Sequence, residues 1–87
     1  MTRTYFHEKY YLYQGFVTEE HFALLVEMST IRSDKIRKAL NEYFVDGVSR
    51  AKVCEKHNVT QGCLSVKIKN LQRLSKLVYE SQSFYSD

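Results

Sequence analysis

The sequence predicts an all-α protein: a small helix-turn-helix domain of about four helices with an aromatic N-terminal arm. Its 87 residues suffice for one domain, and 44% hydrophobic with 26% charged residues is typical of globular chains. The chain contains no proline and three glycines, whereas the turns of small all-β domains rely on both. Several segments instead repeat apolar residues at the helical period behind a capping residue. We therefore expect helices.

Residues 1–16 form the predicted arm. Six aromatic residues lie between Tyr5 and Phe16, with neither a helical nor a strand period. We expect an extended or irregular segment that packs its rings on the helical body. Residues 17–81 would form the helix-turn-helix domain, and residues 82–87 a frayed tail.

The first predicted helix, 18–28, begins at the N-cap Thr18 and carries an unusually broad apolar stripe. Leu24 and Met28 widen the stripe beyond its centre, which consists of Phe22, Leu25 and Val26. Exposed aliphatic pairs on small proteins often mark association sites. We expect Leu24 and Met28 to form part of a contact between subunits; alternatively, the arm covers them within one chain through Tyr10, Tyr11 or Tyr13.

Three further helices follow from caps and periodicity. Ser33 begins an amphipathic helix over 33–46, which Gly47 ends. Ser49 caps a short helix over 50–57, and Thr60 caps the last one.

Residues 49–71 match a helix-turn-helix. Cys54 is small enough for a close helix crossing, and Asn58 tolerates the positive φ of a sharp turn. Val59 would fill the angle between the helices, and Leu64 and Ile68 would anchor the second helix. The pattern predicts a DNA-binding unit, although helical corners of this shape also occur in ordinary cores.

Basic charge is concentrated in residues 48–79, which contain seven Lys and Arg residues and a single acidic residue, Glu55. Such a segment is typical of a polyanion binder, or else of a solvated helix face.

Opposite Leu64, the outward face of the last helix holds Gly62, Val66, Lys69, Arg73 and Lys76. Val66 either meets a thymine methyl in the major groove or is a scattered surface aliphatic. The residues expected to contact DNA are Ser49, Arg50, Lys52, Thr60, Gln61, Gly62, Ser65, Val66, Lys69 and Arg73.

The stretch from Thr18 to Leu74 resembles the PapB-type adhesin-biosynthesis regulators, small transcription factors of fimbrial operons. The most telling part is GVSRAKVCEKH, and Ser49 and Arg50 match a serine-arginine pair of the family's DNA-binding region. The resemblance implies an all-α helix-turn-helix fold, binding to A/T-rich regulatory DNA, self-association along that DNA and control of adhesin transcription. It also implies readout of shape and the minor groove, an alternative to the major-groove contact of Val66.

Other functions have weaker signals. Cys54, His57 and Cys63 are residues of types that bind metals and lie close together in the sequence. They are only three and include no CxxC pair, so we expect no metal. The sequence has no nucleophile signature and no glycine-rich phosphate loop, so we expect no enzyme, cofactor or small-molecule ligand. Tyr10, Tyr11 and Tyr13 could stack on single-stranded bases, but the sequence has no signature of an RNA-binding module, so we do not favour RNA binding.

The expected location is the cytoplasm. No apolar run approaches the roughly 18 residues of a membrane helix, and the N-terminus has no signal-peptide pattern. Cys54 and Cys63 would then be free thiols. The alternative to DNA binding is a protein-interaction module whose basic helix binds an acidic partner surface.

Overall fold

A computed structural model of the protein describes residues 10–85, which contain four α-helices and no strand. The helices are α1 (Glu19–Met28), α2 (Asp34–Phe44), α3 (Arg50–His57) and α4 (Gln61–Ser81). A single 3₁₀ turn over Gln82–Phe84 follows α4. The predicted all-α fold of about four helices is confirmed. Within the described range, no helix is both long and apolar enough to cross a membrane.

Each helix begins where the sequence places an N-cap. The four capping side chains accept a hydrogen bond from the backbone N–H three residues on, at 3.1–3.3 Å: Thr18, Ser33, Ser49 and Thr60. The α2 helix ends at Phe44, two residues before the predicted end. Val45 and Asp46 both direct their N–H groups to the carbonyl of Asn41, so the regular ladder stops before Gly47.

The core lies where α4 crosses the other three helices. Its largest fully buried side chains come from every helix: Leu25, Leu40, Phe44, Val53, Leu64 and Leu71. On α4 the buried residues are Leu64, Ile68, Leu71 and Ser75, spaced to lie along one side. The opposite side of α4 is thereby left to solvent.

Residues 10–17 run over the helical body, held mainly through their backbone. The side-chain amide of Gln72 on α4 bonds both the N–H and the C=O of Leu12, at 2.9 and 2.8 Å, and Leu12 is buried. We expected the aromatic rings to pack on the body, but Tyr11, Tyr13 and Phe16 are exposed. The buried side chains of residues 10–17 are the aliphatic Leu12 and Val17, and Tyr10 is half-buried against the ring of Tyr79. Tyr5 and Phe6 lie outside the described residues.

The same segment closes against the corner between α2 and α3. Gly15 donates its N–H to the carbonyl of Tyr43, and Val17 donates to that of Phe44. Gly15 and Gly47 meet backbone to backbone, both with positive φ, of 80° and 78°. A Cβ on Gly15 would lie 3.0 Å from the Cα of Gly47, so the approach requires glycine.

Candidate nucleic-acid interface

The turn between α3 and α4 has the geometry that the sequence predicts. Asn58 adopts the left-handed conformation, with φ 56° and ψ 51°. Val59 is buried at the angle between the helices, and its N–H bonds the carbonyl of Cys54 at 3.0 Å. From α2, the ammonium of Lys35 donates to the carbonyl of Asn58 at 3.2 Å. The turn is therefore fixed from inside and outside.

The helix crossing is close and apolar. Val53 and Cys54 are buried on α3, opposite Leu64 and Ile68 on α4. Cys54 is buried here, at the position where the sequence predicted a small residue. Cys63, one turn into α4, is exposed, and both thiols are free.

The outward face of α4 is open to solvent along its whole length. All five residues of the face are exposed: Gly62, Val66, Lys69, Arg73 and Lys76. A Cβ on Gly62 would meet no atom within 4 Å, and 55% of Val66 is accessible. Residues 61–79 include no acidic side chain. The face is small and uncharged near the turn and cationic farther along, which suits groove approach and phosphate contact respectively.

Arg50 links the start of α3 to this face. Its Nη1 donates to the hydroxyl of Ser65 on α4 at 2.8 Å, and its guanidinium lies 5.8 Å from the ring centre of Tyr43. These contacts orient an exposed cation that has further N–H donors available. The sequence did not predict the contact between Tyr43 and Arg50, because the two residues lie on different helices and meet only in the tertiary structure.

The other predicted contact residues surround this centre. Lys52 on α3 and Gln61 on α4 are exposed. Ser49 and Thr60 are exposed N-caps whose oxygens already accept backbone N–H groups, so each retains its hydroxyl proton for donation. Ser65 is half-buried, and its oxygen is taken by Arg50.

One cation of the basic segment is held elsewhere. Lys56 donates to Glu42 on α2 at 2.8 Å, and His57 lies 3.3 Å from the same carboxylate. The hydrogen bond from Lys56 is the main cause that lowers the pKa of Glu42. Lys56 is therefore neutralised locally, a pairing that sequence order alone did not reveal. Among residues 10–85, no group of three or more His, Cys, Asp or Glu residues could hold a metal ion.

Leu24 and Met28 lie on another surface, with 58% and 51% of their areas accessible. Tyr10 lines the same shallow hollow but leaves both residues more than half exposed, and Tyr11 and Tyr13 point to solvent. The described part of the arm therefore does not cover the pair. Leu77 on α4 is exposed to the same extent as Met28, at 51%, and both border a neighbouring hollow.

A capped helix pair with one exposed cationic helix face, carried on a small helical body, is an arrangement typical of transcription regulators. The chain belongs to the PapB family of adhesin biosynthesis transcription regulatory proteins, whose family model matches residues 1–85. The predicted family is thus confirmed.

Individual relatives agree with this assignment. The chain is 44% identical over 70 residues to the regulatory protein FanB of Escherichia coli, covering 80% of this chain and 71% of FanB. It is 38% identical over 76 residues to the pilus operon regulatory protein PapB of Escherichia coli, covering 87% and 73%. The crystal structure of E. coli FocB superposes with a TM-score of 0.81 at 37% identity, covering 91% of this chain and 90% of FocB. The family, FanB and PapB are regulatory proteins and not enzymes.

Proposed function

We propose that this regulator acts in the cytoplasm by binding A/T-rich duplex DNA through α3, the turn and α4, and by self-associating along that DNA. The observation that carries the proposal is the exposed, acid-free outward face of α4, which the Arg50–Ser65 hydrogen bond joins to the start of α3. A surface of this kind attracts a polyanion and presents donors in a fixed arrangement.

The contacts divide by chemistry. Arg50 and Lys52, at the start of α3, and Lys69 and Arg73, along α4, bind phosphates and set the register of the protein on the duplex. Near the turn, Gly62 lets the backbone of α4 approach a groove closely. Gln61, Ser65 and Val66 flank that approach and supply polar and apolar contacts, with Ser49 and Thr60 as further hydroxyl donors.

The preference for A/T-rich duplex is supported by the resemblance to the family, which implies readout of DNA shape. Self-association is supported by the half-exposed pair Leu24 and Met28 on α1. One small domain makes few base contacts, and adjacent copies that touch raise one another's occupancy through effective concentration.

The target genes are inferred from the names of similar regulators. Two further Escherichia coli relatives are the regulatory proteins of the AFA-III and F1845 adhesin operons, and PapB is that of a major pilus subunit operon. We propose that this chain likewise regulates fimbrial or adhesin genes.

A salt titration tests the DNA-binding step. Binding to A/T-rich and G/C-rich duplexes of equal length is measured over a series of salt concentrations. We expect tighter binding to the A/T-rich duplex and a linear fall of log affinity with log salt. If neither duplex binds even at low salt, the proposal is wrong and the basic helix serves an acidic protein partner instead.

A further inference from the structure

The arm segment 10–17 is held too firmly to be a loose extension. Gln72 bonds both backbone groups of Leu12, and Ser75 donates to the carbonyl of Tyr10 at 2.6 Å. At the other end, the amide of Gln14 donates to the carbonyls of Gly47 and Val48 at 3.1 and 3.2 Å. The side chains of the segment are therefore presented from a fixed backbone.

Two tyrosines of this segment are about half exposed. Leu12 is buried, whereas its neighbours Tyr11 and Tyr13 are 49% and 46% exposed. Their rings lie edge to face with centroids 4.8 Å apart. Neither ring belongs to the core that the described residues form, and about half of each side chain is accessible.

The segment borders the outward face of α4. Tyr10 lies beneath the ammonium of Lys76, 6.0 Å from ring centre to nitrogen, and Gln14 reaches the carbonyl just before Ser49 and Arg50. Gln72, which holds Leu12, lies on α4 between Arg73 and the buried Leu71. Residues 10–18 include no acidic side chain. A duplex seated on the outward face would bring one strand's backbone along this flank.

We propose that Tyr11 and Tyr13 are additional DNA contacts, whose hydroxyl groups donate hydrogen bonds to phosphate oxygens beside the groove that α4 faces. The inference rests on the proposed function, because it requires a duplex on α4. Tyrosine is an established phosphate donor in protein–DNA interfaces. Its contact is uncharged, so it adds affinity without releasing a counterion.

Because the tyrosine contact releases no counterion, its loss should lower the affinity for DNA without changing the salt dependence of binding. The double variant Tyr11→Phe/Tyr13→Phe keeps both rings and removes both hydroxyls. On a duplex that holds one protomer, we expect about tenfold weaker binding with the log–log salt slope unchanged. The matched control is Tyr85→Phe, a tyrosine that is 85% exposed beyond the end of α4 and should bind as wild type does. Circular dichroism and Tm of the three proteins should coincide.

The other outcomes are decisive. If the wild type binds duplex and the double variant binds equally well, the arm contact is wrong and the α3–α4 interface stands. A changed salt slope would overturn the direct hydroxyl contact, because the effect would then come from displaced cations. Tighter binding of the wild type to single-stranded than to duplex DNA would make the tyrosines base-stacking groups and overturn the phosphate contact. If the wild type binds no duplex, the proposed function itself fails, and this inference fails with it.

Discussion

Removing Arg50 should weaken binding to every duplex by a similar factor. Its guanidinium is oriented by Ser65 and Tyr43 at the first residue of α3, where contacts to phosphates fix register rather than sequence. Arg50→Ala removes one of the proposed phosphate contacts and leaves the core untouched, since Arg50 is exposed.

The magnitude follows from the number of cations on the interface. Five exposed basic side chains border the proposed interface, and none forms an ion pair among residues 10–85: Arg50, Lys52, Lys69, Arg73 and Lys76. If each binds one phosphate, the log–log salt slope is about −4.5, and affinity falls about 500-fold from roughly 50 to 200 mM salt. With Arg50→Ala the slope becomes about −3.6, and the same change of salt weakens binding about 150-fold.

The assay is fluorescence anisotropy on a short labelled duplex over that range of salt. Lys56→Ala is the matched control, because it removes the same charge from the same helix at a lysine bonded to Glu42. Ser65→Ala removes the hydroxyl that orients Arg50 while retaining the charge. We expect an unchanged slope for both controls, with a modest loss of affinity for Ser65→Ala alone.

Two results would refute the reasoning. An Arg50→Ala protein with wild-type slope and affinity would remove Arg50 from the interface. Equal slope changes in Arg50→Ala and Lys56→Ala would mean that the slope reports net charge instead of a defined set of contacts.

Four other substitutions probe the remaining features. Gly62→Glu places a carboxylate in open space on the outward face, so it should keep the wild-type Tm and lose duplex binding; retained affinity would mean that α4 does not face DNA. Leu24→Asp should fold normally and occupy single sites while losing cooperativity between adjacent sites, whereas a lower helical signal and Tm would assign Leu24 to the monomer core. Asn58→Val should lose about 1–2 kcal/mol in urea unfolding because a branched side chain resists the left-handed conformation, and Asn58→Gly should not; equal stability of the two would contradict this. The lowered pKa of Glu42 should make wild type more stable than Glu42→Gln at neutral pH, with the difference vanishing as pH falls through that pKa; a Tm difference that persists in acid would exclude the carboxylate as its source.

The parts of the fold that the sequence predicted are those with local causes. The hydroxyl of a residue at a helix start, such as Thr18 or Thr60, accepts a hydrogen bond from the N–H three residues later. Its capping role can therefore be predicted from four consecutive residues. The left-handed turn at Asn58 and the buried Val59 are equally local. The exposure of Val66 and Leu24 followed from helical angle alone.

What the sequence missed depends on distant partners. The arm is bound by Gln72, sixty residues away from Leu12, so no short window could reveal that contact. Aromatic content suggested buried rings, yet the buried side chains of this segment are Leu12 and Val17, and Tyr11, Tyr13 and Phe16 are exposed. Similarly, the pairing of Lys56 with Glu42 is a tertiary contact, which removed one cation from a segment that had looked uniformly basic.

The meeting of Gly15 with Gly47 links the evolution of two separate parts of the chain. Each glycine has a positive φ, and each leaves the space that the other's backbone occupies. A larger residue at either position meets backbone, so no second-site change in a side chain can relieve it. Inserting a residue between α2 and α3 would move Gly47 away from its position opposite Gly15. Substitutions in the arm can therefore change the groups that it presents to solvent, while the path of its backbone across the body stays the same.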